Sequence, residues 1–142
     1  MKPLSFDIGR GYAGCAYFLW KVATSDIYPE RTMDCLITAK KIVSICLDKM
    51  KNCLSSVGFL FGSSGVLALA SVIHHSTGDK AASCECITRL FNIAKEFMVP
   101  SMFEKELAHG IAGFMASVLF VIKHIPREYY DNSRAREILH LS

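Results

Sequence analysis

Charge of one sign is scarce in this 142-residue chain: 16 Lys and Arg stand against 13 Asp and Glu, a formal net charge of +3. The basic residues are scattered rather than striped, which argues against a phosphate-binding surface for nucleic acid. No Cys-x-x-Cys occurs among Cys15, Cys35, Cys46, Cys53, Cys84 and Cys86, so the usual spacing of a metal or redox pair is missing. Cys84-x-Cys86 does not replace it, because residues two apart on a helix point to nearly opposite sides. No Ser-His-Asp set, phosphate loop or pair of catalytic acids stands out. Asp7 and Arg10 interrupt any basic-then-apolar start of the secretory kind, so the expected compartment is the cytosol, with reduced and buried structural thiols.

What is abundant is apolar surface. Hydrophobic residues make up 51% and charged ones 20%, the balance of a packed chain rather than a disordered one. That surface is organised as a repeat. Gly11-Tyr-Ala-Gly14 precedes CAYFLWKVA, Gly62-Ser-Ser-Gly65 precedes VLALASVIHH, and Gly110-Ile-Ala-Gly113 precedes FMASVLFVIKH, the first glycines lying 51 and then 48 residues apart. Each apolar segment meets a turn, at Ser25 to Pro29, Ser76 to Asp79 and Ile125 to Asn132. An amphipathic segment then follows. In the first, Cys35, Leu36, Ala39, Ile42, Val43, Cys46, Met50 and Cys53 recur at helical spacing while Lys40, Lys41, Asp48 and Lys51 face elsewhere. In the second, Ile87, Leu90, Phe91, Ala94 and Phe97 do the same until Pro100. Asn132 to Leu141 begins the third.

A helix apolar on all sides needs cover all round, whereas an amphipathic one needs cover on one face. The expected architecture is therefore all-α and double-layered, with apolar helices inside and amphipathic helices outside. Repeats are placed near residues 9–54, 58–99 and 104–142 of a single unit spanning 1–142. The repeat-turn glycines Gly11, Gly14, Gly62, Gly65, Gly110 and Gly113 are structural, suited to positive φ and to close backbone approach.

Two other readings compete. Leu54 to Gly78 carries no formal charge and is long enough to span a bilayer, but the repeat puts a loop at its centre, where lipid leaves backbone groups unpaired. Gly9-x-Gly11-x-x-Gly14 has dinucleotide-binding spacing without the preceding strand that such a site needs.

The three Gly-x-x-Gly helices resemble the LanC-like family of lanthionine synthetase C-type proteins, its animal branch most closely. GYAGCAYFLWKVA is similar to the first inner helix, FLFGSSGVLALASVIHHSTGD to the second and ELAHGIAGFMASVLFVIKHIP to the third; CITRLFNIAKEF resembles the intervening outer helix. The resemblance runs from about Gly9 to Leu139. It implies a partial α/α toroid, about three helical hairpins out of seven.

It also implies glutathione binding and the addition of thiols to dehydrated serine or threonine in peptides. The implied zinc is held by two cysteines and a histidine, with a Cys-His-Gly in a later repeat. This chain has Ala108-His109-Gly110 instead, so no metal ligand is assigned in it, and zinc and glutathione belong to full-length members. His109 is the one catalytic candidate, an imidazole able to move a proton near neutral pH.

His74 and His75 are expected as helix-end cations. Glu104 and Glu106 are helix-entrance acids, and Arg127, Arg134 and Arg136 a solvated face. The functional expectation is a fragment inactive alone, with an enzymatic role left open. The alternatives are a noncatalytic scaffold or a small multi-span membrane protein. Expected partners are glutathione, a protein or peptide, or a second copy through open toroid edges. Nucleic acid is not expected, and a membrane only peripherally, at the plasma membrane.

Overall fold

The computed structural model describes residues 5–50, 57–96 and 110–140. Among them the regular structure is entirely helical, with no strand. Six α-helices follow in order: α1 Tyr12–Ala23, α2 Thr32–Met50, α3 Ser63–Ser76, α4 Lys80–Glu96, α5 Ile111–His124 and α6 Asn132–His140. Short 3-10 turns, Pro29–Arg31 and Arg127–Tyr129, precede α2 and α6. α1 pairs with α2 and α3 with α4, α3 also packs on α2 and α5, and the short α6 touches both α4 and α5.

The central hairpin shows how the sequence punctuates its helices. α3 ends with Gly78 in the left-handed region at φ 78°. Gly78 N–H donates to the His75 carbonyl at 3.0 Å and Asp79 N–H to the His74 carbonyl at 2.9 Å, the paired bonds of a Schellman close. Asp79 then starts α4, its Oδ1 accepting the Ala82 N–H at 3.2 Å, as an N-cap does. The chain reverses within a few residues. α5 stops differently: Ile125 is extended with ψ 133°, the conformation that the following Pro126 favours.

Burial distinguishes the three apolar helices. Every residue of α3 from Ser63 to His74 is buried, so it alone is covered all round. The expectation of full cover fails for α1 and α5, each of which buries one side. α1 buries Ala13, Ala16, Trp20 and Ala23 while exposing Tyr12, Cys15 and Phe18. α5 buries Gly113, Phe114, Ser117, Val118 and Val121 and exposes Leu119. The cause is position, since only α3 has a hairpin on both flanks.

Leu36, Ala39, Val43 and Cys46 of α2 are buried as the pattern predicts, and Leu47 joins them. On α4 the buried set Ile87, Leu90 and Phe91 gains Ser83, Cys86 and Ile93. Cys53, Phe97 and Pro100 lie outside the described residues. Buried serine hydroxyls here are satisfied by main-chain carbonyls: Ser71 Oγ donates to the Ala68 carbonyl at 2.7 Å, and Ser83 Oγ to the Ser71 carbonyl at 2.9 Å. That matters because an unpaired hydroxyl there costs about 1–3 kcal/mol.

Of the uncharged Leu54-to-Gly78 window, the described part from Val57 onward forms a loop and the 14-residue α3. No helix among the described residues is long and apolar enough to cross a membrane.

Candidate functional site

Two ends of the inner layer gather the chemistry. At the N-terminal end, Gly11, Gly62 and Gly110 occupy the same position, the N-cap of α1, α3 and α5, with φ of −121°, −130° and −107°. All three are extended, so positive φ is not what these positions require. Close approach is. A Cβ on Gly14 would meet the Ile8 carbonyl oxygen at 2.5 Å, and one on Gly65 would collide with the Phe59 carbonyl. Both pairs are six residues apart, so each pre-helix loop folds under its helix in the same way. Main-chain bonding joins the two loops, Gly9 N–H donating to the Leu60 carbonyl at 2.8 Å. Gly113 is buried on α5. His109 and the acids Glu104 and Glu106 lie outside the described residues.

At the C-terminal end, the helices bring together groups far apart in sequence. Lys40 Nζ of α2 lies 2.9 Å from Asp79 Oδ2, tying the first hairpin to the cap of α4. His74 sits behind this pair, 6% exposed, its Nδ1 3.9 Å from Asp79 Oδ2 and without a hydrogen bond. Burial lowers the His74 pKa, Asp79 partly opposing the effect. Neutral imidazole is thus favoured, which corrects the reading of His74 as a helix-end cation. The Asp79 carboxyl is lowered by its hydrogen bond from Lys40 and then by the Ala82 N–H.

Beside this group, Trp20 Nε1 donates to Ser76 Oγ at 3.2 Å. His124 stands edge-on to Trp20 with ring centroids 5.0 Å apart and lies 4.7 Å from Phe120. Burial lowers the His124 pKa too, helped by Lys123 and Lys21. His75 meets Tyr129 edge-on at 4.8 Å, and Lys80 Nζ covers that ring at 4.9 Å.

The sequence reading missed the Lys40–Asp79 link. Asp79 had a local sign, an acid directly before a helix, but no local signal pairs it with a lysine 39 residues away. Arg134 also departs from the solvated-face reading: its guanidinium donates to the Phe91 carbonyl at 3.3 Å. A cleft of about 380 Å³ at the α4–α6 junction has Lys95, Arg134, Asp131 and Glu137 in its wall, both signs of charge together.

The chain matches the family described as lanthionine synthetase C-like protein over residues 2–141. It belongs to the LanC-like family. The Gly-x-x-Gly inner helices and their outer partners are thus the repeats of a LanC-like α/α fold.

A LanC-like zinc centre needs thiolates, and the described thiols do not fit one. Cys15 is exposed on α1, Cys35 and Cys84 are half-buried, and Cys46 and Cys86 are buried; all five are free. The expected burial of every cysteine therefore fails at Cys15. Desolvation pushes the Cys46 and Cys86 thiols up to about 11, the opposite of what a metal ligand or nucleophile requires. Cys84 Sγ is 3.5 Å from the Tyr129 carbonyl, which accepts its weak hydrogen bond. Among the described residues, no three of His, Cys, Asp and Glu are grouped to hold a metal ion.

Proposed function

We propose that this LanC-like chain forms part of the wall of a thiol-addition domain and has no zinc-thiolate centre of its own. Alone, it does not add glutathione to dehydrated serine or threonine in peptides. The observation that carries this reading is the state of the thiols: burial holds the two most buried protonated, and the exposed one, Cys15, lies in the first turn of α1 whereas the buried His74 lies in the last turn of α3. Conjugate addition needs a nucleophile and a proton donor in one place. In this reading His109, directly before the Gly110 cap, supplies at most proton transfer once a thiolate is provided from elsewhere.

Metal content tests this directly. The chain, loaded with zinc and desalted, is expected to retain none in stoichiometric amount. One zinc per chain, lost when a single cysteine is replaced by alanine, overturns the proposal.

A second reading, an interaction scaffold, is favoured by the apolar sides that α1 and α5 leave open, with Phe18 65% and Leu119 52% exposed. Free thiols suit the reducing cytosol in which either role is placed.

A further inference from the structure

α6 touches α4, and between these two outer helices lie two recesses of about 380 Å³ and about 160 Å³. Asp131 and Arg134 stand in the wall of both, so the recesses join as one groove with Arg134 at the join. Along α4 the groove runs from Ile87 to Lys95, about 12 Å at the helical rise. An extended peptide covers that length with about three or four residues. Ile87, Phe91 and Tyr130 give the smaller half its apolar surface, Phe91 and Tyr130 meeting edge-on with ring centroids 6.1 Å apart.

Arg134 is held in place across the groove. Its Nη2 donates to the Phe91 carbonyl at 3.3 Å and lies 3.5 Å from Asn92 Oδ1, and a guanidinium carries N–H donors on two further nitrogens. The helix end beside it offers no second anion site, because Asp131 Oδ1 already accepts the Ser133 and Arg134 N–H groups at 2.9 and 3.2 Å. In the same wall, Lys95 and Arg134 are balanced by Asp131 and Glu137. That balance disfavours a phosphate, which carries about −1.5 to −2 charges, and suits the single charge of a carboxylate. A carboxylate also matches the planar fork of a guanidinium.

We propose that the α4–α6 groove binds a short extended peptide segment, with a carboxylate on Arg134 and an apolar side chain against Phe91 and Tyr130. In an extended segment, side chains two positions apart share a face. An acidic and an apolar residue at that spacing therefore reach both halves together. A free C-terminal carboxylate supplies the same chemistry. The inference rests on the scaffold reading, to which it adds a ligand class, and it uses a surface apart from the open sides of α1 and α5. Its failure leaves those sides and the zinc test untouched.

The test is fluorescence anisotropy of the 142-residue chain with a fluorescein-labelled, C-terminally amidated peptide in which glutamate and phenylalanine stand two positions apart among glycines. Saturable binding is expected. Replacing that glutamate by glutamine, or Arg134→Gln in the chain, is expected to weaken it about tenfold or more, the loss of a charged hydrogen bond. Because Arg134 also holds the Phe91 carbonyl, a second variant leaves its bonds in place. Thr88→Trp, at an exposed position beside the apolar half, is expected to block the peptide with unchanged circular dichroism. Amide NMR shifts are expected along 87–95 and 129–138. A second glycine peptide ends in phenylalanine with a free carboxylate. Tighter binding of this peptide assigns the ligand as a C-terminus, and tighter binding of the amidated one as an internal acidic residue. Absence of saturation by both, equal affinity for the glutamine peptide, tighter binding of a phosphoserine replacement, or shifts confined to other helices overturns the proposal.

Discussion

Ser64 of α3 and Ser117 of α5 meet through their hydroxyls at 2.8 Å, both fully buried. Ser64 also donates to the Val57 carbonyl, and Ser117 lies 3.0 Å from the Gly113 carbonyl. Two inner helices and the loop beneath one of them thus share a polar contact in an apolar layer. Ser64→Ala should cost about 1–3 kcal/mol, the penalty for stranding buried acceptors. Ser117→Ala should cost less, because the Ser64–Val57 bond survives. Urea denaturation is expected to show the double variant costing less than the sum of the singles.

The repeat glycines should differ sharply from the turn glycine. An alanine at Gly65 drives its methyl into the Phe59 carbonyl, which is backbone, whereas nothing lies within 4 Å of a Cβ at Gly78. Gly65→Ala is expected to cost about 1–3 kcal/mol or more by overpacking. Gly78→Ala meets only the left-handed backbone penalty, about 1–2 kcal/mol. Paired melting curves in which Gly78→Ala is the worse variant contradict the close-approach account.

Asp79 does two jobs, capping α4 and pairing with Lys40. Both side chains of the pair are about a third exposed, at 37% and 36%, so Lys40→Ala should cost no more than about 1 kcal/mol. Asp79→Ala loses the cap as well. Chemical denaturation should rank Asp79→Ala as the more destabilising. An inverted order removes the capping role.

Acid should destabilise the fold through His74 and His124. Their folded pKa values are lowered from 6.5 by burial, so below that value the unfolded chain binds protons more readily than the folded one. Stability from these groups is present above pH 6.5 and falls as pH drops toward their folded pKa values. The lowered Asp79 carboxyl adds its own loss further down, below 3.8. The Tm is expected to fall between pH 7 and pH 5, and His74→Gln to flatten that slope. An unchanged slope in the variant refutes the assignment.

The sequence carried the three-fold glycine punctuation, the helical class and the buried stripe of α2, because local spacing reports them directly. It did not carry the fate of α1 and α5. GYAGCAYFLWKVA is as apolar as its sister segments, and only the packing shows that Phe18 faces outward while its counterpart Leu69 is fully buried. The glycine positions were legible, but their cause was not, since extended φ at Gly11, Gly62 and Gly110 becomes visible only in three dimensions. The lowered pKa of His74 was likewise hidden, because it depends on burial and on Asp79 and Lys40 around it.

The most direct test of the account is glutathione addition to a dehydroalanine peptide, followed by mass spectrometry with zinc and the 142-residue chain present. The expected result is the uncatalysed rate, unchanged by the chain. A rate that rises in proportion to chain concentration and is abolished by chelation contradicts the claim that these helices lack a thiolate centre of their own.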